Sequence, residues 1–146
     1  MPTVKTIDEL ETVLLPKMIA MTGQLSKQVY ETLNFFLHDY YTGWTPRVYQ
    51  RTQDFLHSAV QVKARIVRGS VKAAVYIDYN SMDDYNGIDG LTVVKWADSG
   101  LHGGIKTPHK PHVWKDTIKN TVTNGALLRT AAEYLKSKGF IVSKAL

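Results

Sequence analysis

Three histidines, His102, His109 and His112, fall in one loop with Asp98 close by in the chain. Imidazoles and a carboxylate are zinc ligands, and such a set is what a metal-dependent hydrolase needs. The spacing matches no zinc motif, and solvated or backbone-capping histidines explain the same residues. A second stretch, Asp78-Tyr79-Asn80-Ser81-Met82-Asp83-Asp84-Tyr85-Asn86-Gly87-Ile88-Asp89-Gly90, is rich in oxygen ligands. It fails the EF-hand template, since Met82 or Ile88 would fill the fifth position and no glutamate closes the loop. Tight turns at Asn86-Gly87 and Asp89-Gly90 account for that composition. Cysteine is absent, which removes thiol nucleophiles, disulfides and cysteine zinc sites. No serine lies in Gly-x-Ser-x-Gly, and Ser99 beside His102 is too close in sequence for a triad. No phosphate-cradling Gly-x-x-x-x-Gly-Lys loop occurs. These residues predict a protein that is not an enzyme and holds no cofactor or metal.

The remaining candidates suit contacts. Trp44, Arg47, Tyr49 and Arg51 combine aromatic and guanidinium groups, the types enriched at protein interfaces. Packing of Trp44 and Tyr49 over a helix end is the equal alternative. Asp83 and Asp84 in the acidic loop, and Leu101 and His102 in the second loop, complete the candidate contact set.

The elements that must position these residues follow from periodicity. Thr6-Ile7-Asp8-Glu9 has capping-box spacing and opens a short helix, which Pro16 should end or kink. A long helix from about Pro16 to Tyr41 carries Leu25, Val29, Leu33, Phe36, Leu37 and Tyr40 as one stripe, and Gly43 ends it. The period then changes to two. Val60, Val62, Ala64 and Ile66 alternate with Gln61, Lys63, Arg65 and Val67, and Val71, Ala73, Val75, Ile77 and Tyr79 with Lys72, Ala74, Tyr76 and Asp78, about a Gly69-Ser70 turn of type II′ composition. The apolar face of this hairpin should pack on the long helix, and the other carries Lys63, Arg65 and Lys72. Leu91–Ala97 reads as a third strand. After the loop from Asp98 to His112, a last helix begins near Val113 and uses Trp114, Ile118, Leu128, Ala131 and Leu135. Asn124-Gly125 breaks it, and Gly139 ends it with Phe140 folded back. The expectation is one α+β domain over residues 1–146: a long N-terminal helix on a small antiparallel sheet (hairpin plus third strand), with a C-terminal helix.

The net charge of +5 is unevenly spread. Residues 1–58 sum to −1, 59–81 to +3, 82–99 to −3 and 100–146 to +6. Such blocks suit matching between protein surfaces. The basic hairpin face and C-terminal third also allow an alternative, a small nucleic-acid-binding protein. The first five residues lack the apolar core of a signal peptide, and no apolar run approaches the ~18 residues that span a bilayer.

The order of elements resembles the head–tail joining and tail-completion (neck) proteins of long-tailed bacteriophages. The resemblance runs over about residues 20–138 and rests on short patterns. A long helix leads into Pro46-Arg47-Val48-Tyr49-Gln50-Arg51-Thr52-Gln53-Asp54-Phe55-Leu56, and a hairpin follows. Then come Trp96-Ala97-Asp98-Ser99-Gly100-Leu101-His102-Gly103-Gly104 and a closing helix entered through Pro111-His112-Val113-Trp114. The resemblance implies a virion part made in the host cytoplasm. It would form a homo-oligomeric ring and meet connector and tail-tube proteins, without membrane, cofactor or catalysis.

Because the lysines lack an interleaved aromatic platform, any nucleic-acid binding should be weak and blind to sequence. Fluorescence anisotropy with two unrelated duplexes at physiological salt should give equal affinities no tighter than about 1 µM. Nanomolar binding to one sequence would favour the nucleic-acid reading over assembly.

Overall fold

The computed structural model describes residues 3–42, 53–84, 87–102, 105–106 and 112–143, the side chains of 102, 105 and 106 excepted. Its spine is α1, Ile7–Thr42. Thirty-six residues at 1.5 Å each make a rod about 54 Å long. Thr6 Oγ1 accepts the Glu9 N–H at 3.2 Å, as the capping box requires, but the Glu9 carboxylate reaches one residue further, to the Lys5 N–H at 2.8 Å. The helix continues past Pro16, so that residue does not end it as one of the two expected outcomes had it. Proline withholds one donor from the Thr12 carbonyl, and both residues are exposed, so water can take that carbonyl. The helix is described to Thr42, and Gly43, expected to end it, lies outside the described residues.

The hairpin forms as β1, Ala59–Val67, and β2, Ser70–Ile77. Its turn sits one residue earlier than the Gly69-Ser70 reading. Val67 pairs with Ser70, and Arg68 and Gly69 occupy the loop with φ of 50° and 74°. Positive φ at both central positions is the type I′ arrangement, with glycine at the second. The register also shifts between Val62 and Arg65. This bulge inserts one residue into β1 and reverses its facing. Gln61 therefore shares a face with Val75 and points at α1, donating to Ser26 Oγ at 2.9 Å. Val60 and Val62, expected inward, lie on the outer face with Tyr76 and Ala74.

The expected third strand is instead a helix, α2, Gly90–Asp98. The β-branched residues suggested a strand, but Gly90, Val93, Val94 and Ala97 recur at helical spacing. Asp89 Oδ1 caps the first turn by accepting the Thr92 N–H at 2.8 Å. The sheet thus has two strands. A second ribbon, β3 Leu101–His102 paired with β4 Ile105–Lys106, lies in the expected glycine-rich loop.

The closing helix is broken, as expected. α3 is Val113–Ile118, a π turn covers Lys119–Thr123, and α4 is Ala126–Ser137. Gly125 separates them at φ 73°, and the Asn124 side chain accepts the Ala126 N–H. At the far end Gly139 donates to Lys136 and Phe140 to Leu135, the paired bonds of a Schellman motif. These helices run back along α1: Asn120 lines a groove with Phe36, Thr130 donates to Gln28, and Lys17 lies over the Phe140 ring. Leu128, expected in the core, is 73% exposed, and Leu127 turns inward instead.

The core is Leu33, Leu37, Tyr40, Phe55, Met82, Ala97 and Val113, with Phe36, Val75, Ile77 and Trp114 packed against it. Thr117 and Thr121 are also fully buried; their hydroxyls donate to the carbonyls four residues earlier, so no donor is lost.

Leu33 is fully buried and Val75 packs on its cluster. Leu33→Ala should cost about 2–5 kcal/mol in chemical denaturation. A loss under about 0.5 kcal/mol would mean the stripe faces solvent or a partner and not the core.

Candidate assembly surface

The acidic loop is built on backbone ties. At the end of β2 the Asp78 N–H donates to the Ser58 carbonyl at 2.8 Å, and the Asp78 carboxylate accepts the Asn80 N–H at 3.1 Å. This opens the single 3-10 turn Tyr79–Ser81. Met82 drops into the core, and the Asp83 N–H donates to Asp54 Oδ2 at 3.3 Å. Gly90 is buried directly beneath the turn. A side-chain carbon there would overlap the Tyr79 carbonyl oxygen and stand 3.0 Å from Met82 Cβ. The loop is thus held at both ends, and Asp83 and Asp84 point into solvent from it.

At the other end of α2, Asp98 ties two helices. Its Oδ1 accepts the Lys115 N–H at 3.0 Å and its Oδ2 lies 3.9 Å from Lys115 Nζ. His112 Nδ1 stands 2.8 Å from the Asp98 carbonyl, and the His112 N–H donates to Asp116 at 3.1 Å. Two members of the suspected metal cluster therefore serve as helix ties. Among the described residues no group of three His, Cys, Asp or Glu could hold a metal. His109 lies outside the described residues. Asp89 is also a structural group: the Thr92 hydroxyl and amide donate to its carboxylate and hold its pKa below the ordinary value.

Leu101 is half-buried, and its carbonyl accepts the Tyr40 hydroxyl at 3.3 Å. Tyr40 meets Phe55 edge-on with centroids 5.2 Å apart, and Phe55 follows Asp54. Asp83 and Leu101 are therefore anchored around one buried aromatic pair at the end of α1. The backbone of His102 pairs with Ile105, but its side chain is outside the described set. Trp44, Arg47, Tyr49 and Arg51 also lie outside the described residues.

Several exposed groups escaped the pattern reading. Phe35 is 65% exposed and borders a shallow groove of ≈ 380 Å³ with Gln28, Glu31, Thr32, Phe36 and Asn120. An aromatic off the apolar stripe was the signal for it. Ile7, Leu10 and Tyr76 are exposed as well. No described helix is long and apolar enough to cross a membrane.

The geometry defines an α+β protein whose carboxylates and one described loop histidine cap and tie its helices. The chain belongs to the YomN family, whose model matches residues 6–137. That family is phage-associated, of Bacillus prophage origin. Neither the curated proteins nor the solved structures include a match.

If the turn above Gly90 fixes the loop, Gly90→Ala should lower stability by about 1–3 kcal/mol through overpacking against backbone. Thermal melting checks this, and an unchanged Tm would show that the turn yields freely.

Proposed function

We propose that this protein is a structural part of the phage neck, assembling as a ring that joins the head connector to the tail. Membership of a phage-associated family supports a phage setting, and the resemblance in element order to neck proteins supports the finer reading. The observation that carries the reading is the acidic loop. Asp83 and Asp84 are exposed, form no ion pair with a described residue, and stand on backbone fixed by Asp54, Ser58 and Gly90. Exposed carboxylates contribute little to folding, so Asp83 and Asp84 are free to serve contacts from a backbone that is already held in place. Such a loop is suited to docking, because little entropy remains to be lost on contact. Opposite charge on a neighbour then sets register and partner choice.

The test is a double reversal, Asp83→Lys with Asp84→Lys. Exposed loop charges seldom shift stability by more than about 0.5 kcal/mol, so melting should stay near that of the parent. Supplied to particles lacking the parent protein, the variant should fail to complete them. Full rescue would remove these aspartates from the interface. Rescue by Trp44→Ala with Arg51→Ala as well would remove the assembly reading.

A further inference from the structure

The hairpin carries four charges, Lys63, Arg65, Arg68 and Lys72, all positive and all exposed. Arg65 and Lys72 are direct cross-strand partners. Like charges placed opposite one another weaken a two-stranded sheet. Among the described residues nothing offsets this, since none of the four forms an ion pair there. The bulge sets Arg65 on the outer face, the one turned away from α1. Val60 and Val62 share that face, with Tyr76 opposite Val60 and 45% exposed. The outer face is thus an apolar patch at its open end running into a cationic patch at its turn.

A matching surface occurs elsewhere on the molecule. In the first turns of α1, Ile7 is 82% exposed and Leu10 44% exposed, three residues apart and on one side. Asp8 and Glu11 flank them, and Glu9 follows round the helix. These three carboxylates against one Lys5 leave two net negative charges, enough to outweigh the half-positive helix terminus. None of the three forms an ion pair with a described residue. Residues 5–12 are exposed throughout, so the chain covers neither the apolar nor the acidic side of this segment.

We infer that the acidic first two turns of α1 in one copy dock on the outer face of the β1–β2 hairpin of the next. Ile7 and Leu10 meet Val60, Val62 and Tyr76, while Asp8 and Glu11 lie between Arg65 and Lys72 and relieve their repulsion. The occupant is a second copy because the two surfaces are opposite in charge and alike in apolar character: Ile7, Leu10, Tyr76 and the charged groups are exposed, and Val60 and Val62 are half-buried beside them. They are also different surfaces, so the contact is head-to-tail, the kind that closes into a ring or extends without end. This inference rests on the ring reading above and names its subunit contact.

Charge reversal on each side tests it. Arg65→Glu with Lys72→Glu sets carboxylates against Asp8 and Glu11, and Asp8→Lys with Glu11→Lys sets ammonium groups against Arg65 and Lys72. Each variant alone should weaken self-association by about tenfold or more in sedimentation velocity, with its circular dichroism melt retained. All four changes in one chain restore opposite signs and should restore assembly, as should mixing the two variants. Oligomers in the parent that persist in both variants would overturn this contact and leave the ring reading standing. A parent that remains monomeric at all concentrations, yet is incorporated into particles, would overturn self-docking and leave the neck assignment standing. Absence from particles would instead count against the neck assignment. A third result would also overturn the inference: the parent retains mixed-sequence duplex DNA, the hairpin reversal abolishes retention, and the helix reversal leaves self-association unaltered. That would assign the cationic face to phosphate.

Discussion

Everything in this fold depends on one helix surface. Leu33, Leu37 and Tyr40 follow one another at helical spacing and are almost wholly removed from water. No other element could bury itself without them. A two-stranded hairpin is marginal alone, and α2, with nine residues, and α3, with six, are too short to stand in water. The hairpin comes to α1 through Val75, Ile77 and the Gln61–Ser26 hydrogen bond. α2 contributes Ala97 and α3 contributes Val113 to the same cluster. Phe55 and Met82 bring in the two connecting loops. The loops owe their shape to this arrangement, because each has an apolar anchor in the core and polar residues standing above it.

The same dependence explains what could be read from the residues and what could not. The stripe through Leu33, Leu37 and Tyr40 is dense and periodic, so the spine was plain. The break at Asn124-Gly125 and the stop at Gly139 follow from glycine's freedom at positive φ, a local property that needs no tertiary context. Leu91–Ala97 misled because its valines favour strands in isolation. Asp89 at the cap and a core that takes Ala97 from one helical face outweigh that preference. The inner face of α3 was missed for a related reason. Val113 and Thr117 form it, Thr121 continues it into the π turn, and threonine is counted polar until its hydroxyl is seen bonding to the preceding turn. The hairpin was legible as two strands, but a single inserted residue near Lys63 moved Val60 and Val62 to the other face. Strict alternation cannot show such a bulge, because both registers satisfy the pattern until Gln61 finds Ser26.

Of the candidate surface, the acidic loop was legible in composition and not in purpose. Four aspartates, Asp78, Asp83, Asp84 and Asp89, look alike in sequence, yet the fold divides their labour. Asp78 and Asp89 accept backbone amides and open helical turns. Asp83 and Asp84 accept no described donor and project outward. Asp98 and His112, which the sequence set among possible metal ligands, are drawn into joining α2 to α3. Chemistry-bearing residue types therefore mark helix junctions here, and the side chains left over mark the surface.

Those leftover groups are not scattered at random. Acidic carboxylates lie uncovered at the start of α1 and on the loop before α2, while uncovered cations occupy the hairpin. A monomer gains nothing from holding Arg65 against Lys72, and the exposure of Ile7 and Leu10 has a hydrophobic cost with no return inside the chain. Neither cost is needed for folding, since the core at Leu33 and Leu37 lies elsewhere along the helix. Both are reduced when a second chain brings the opposite charge and its own apolar surface. A spine as long as α1 makes this possible: its C-terminal half packs the core, and its first turns stand exposed, away from that core and open to another molecule.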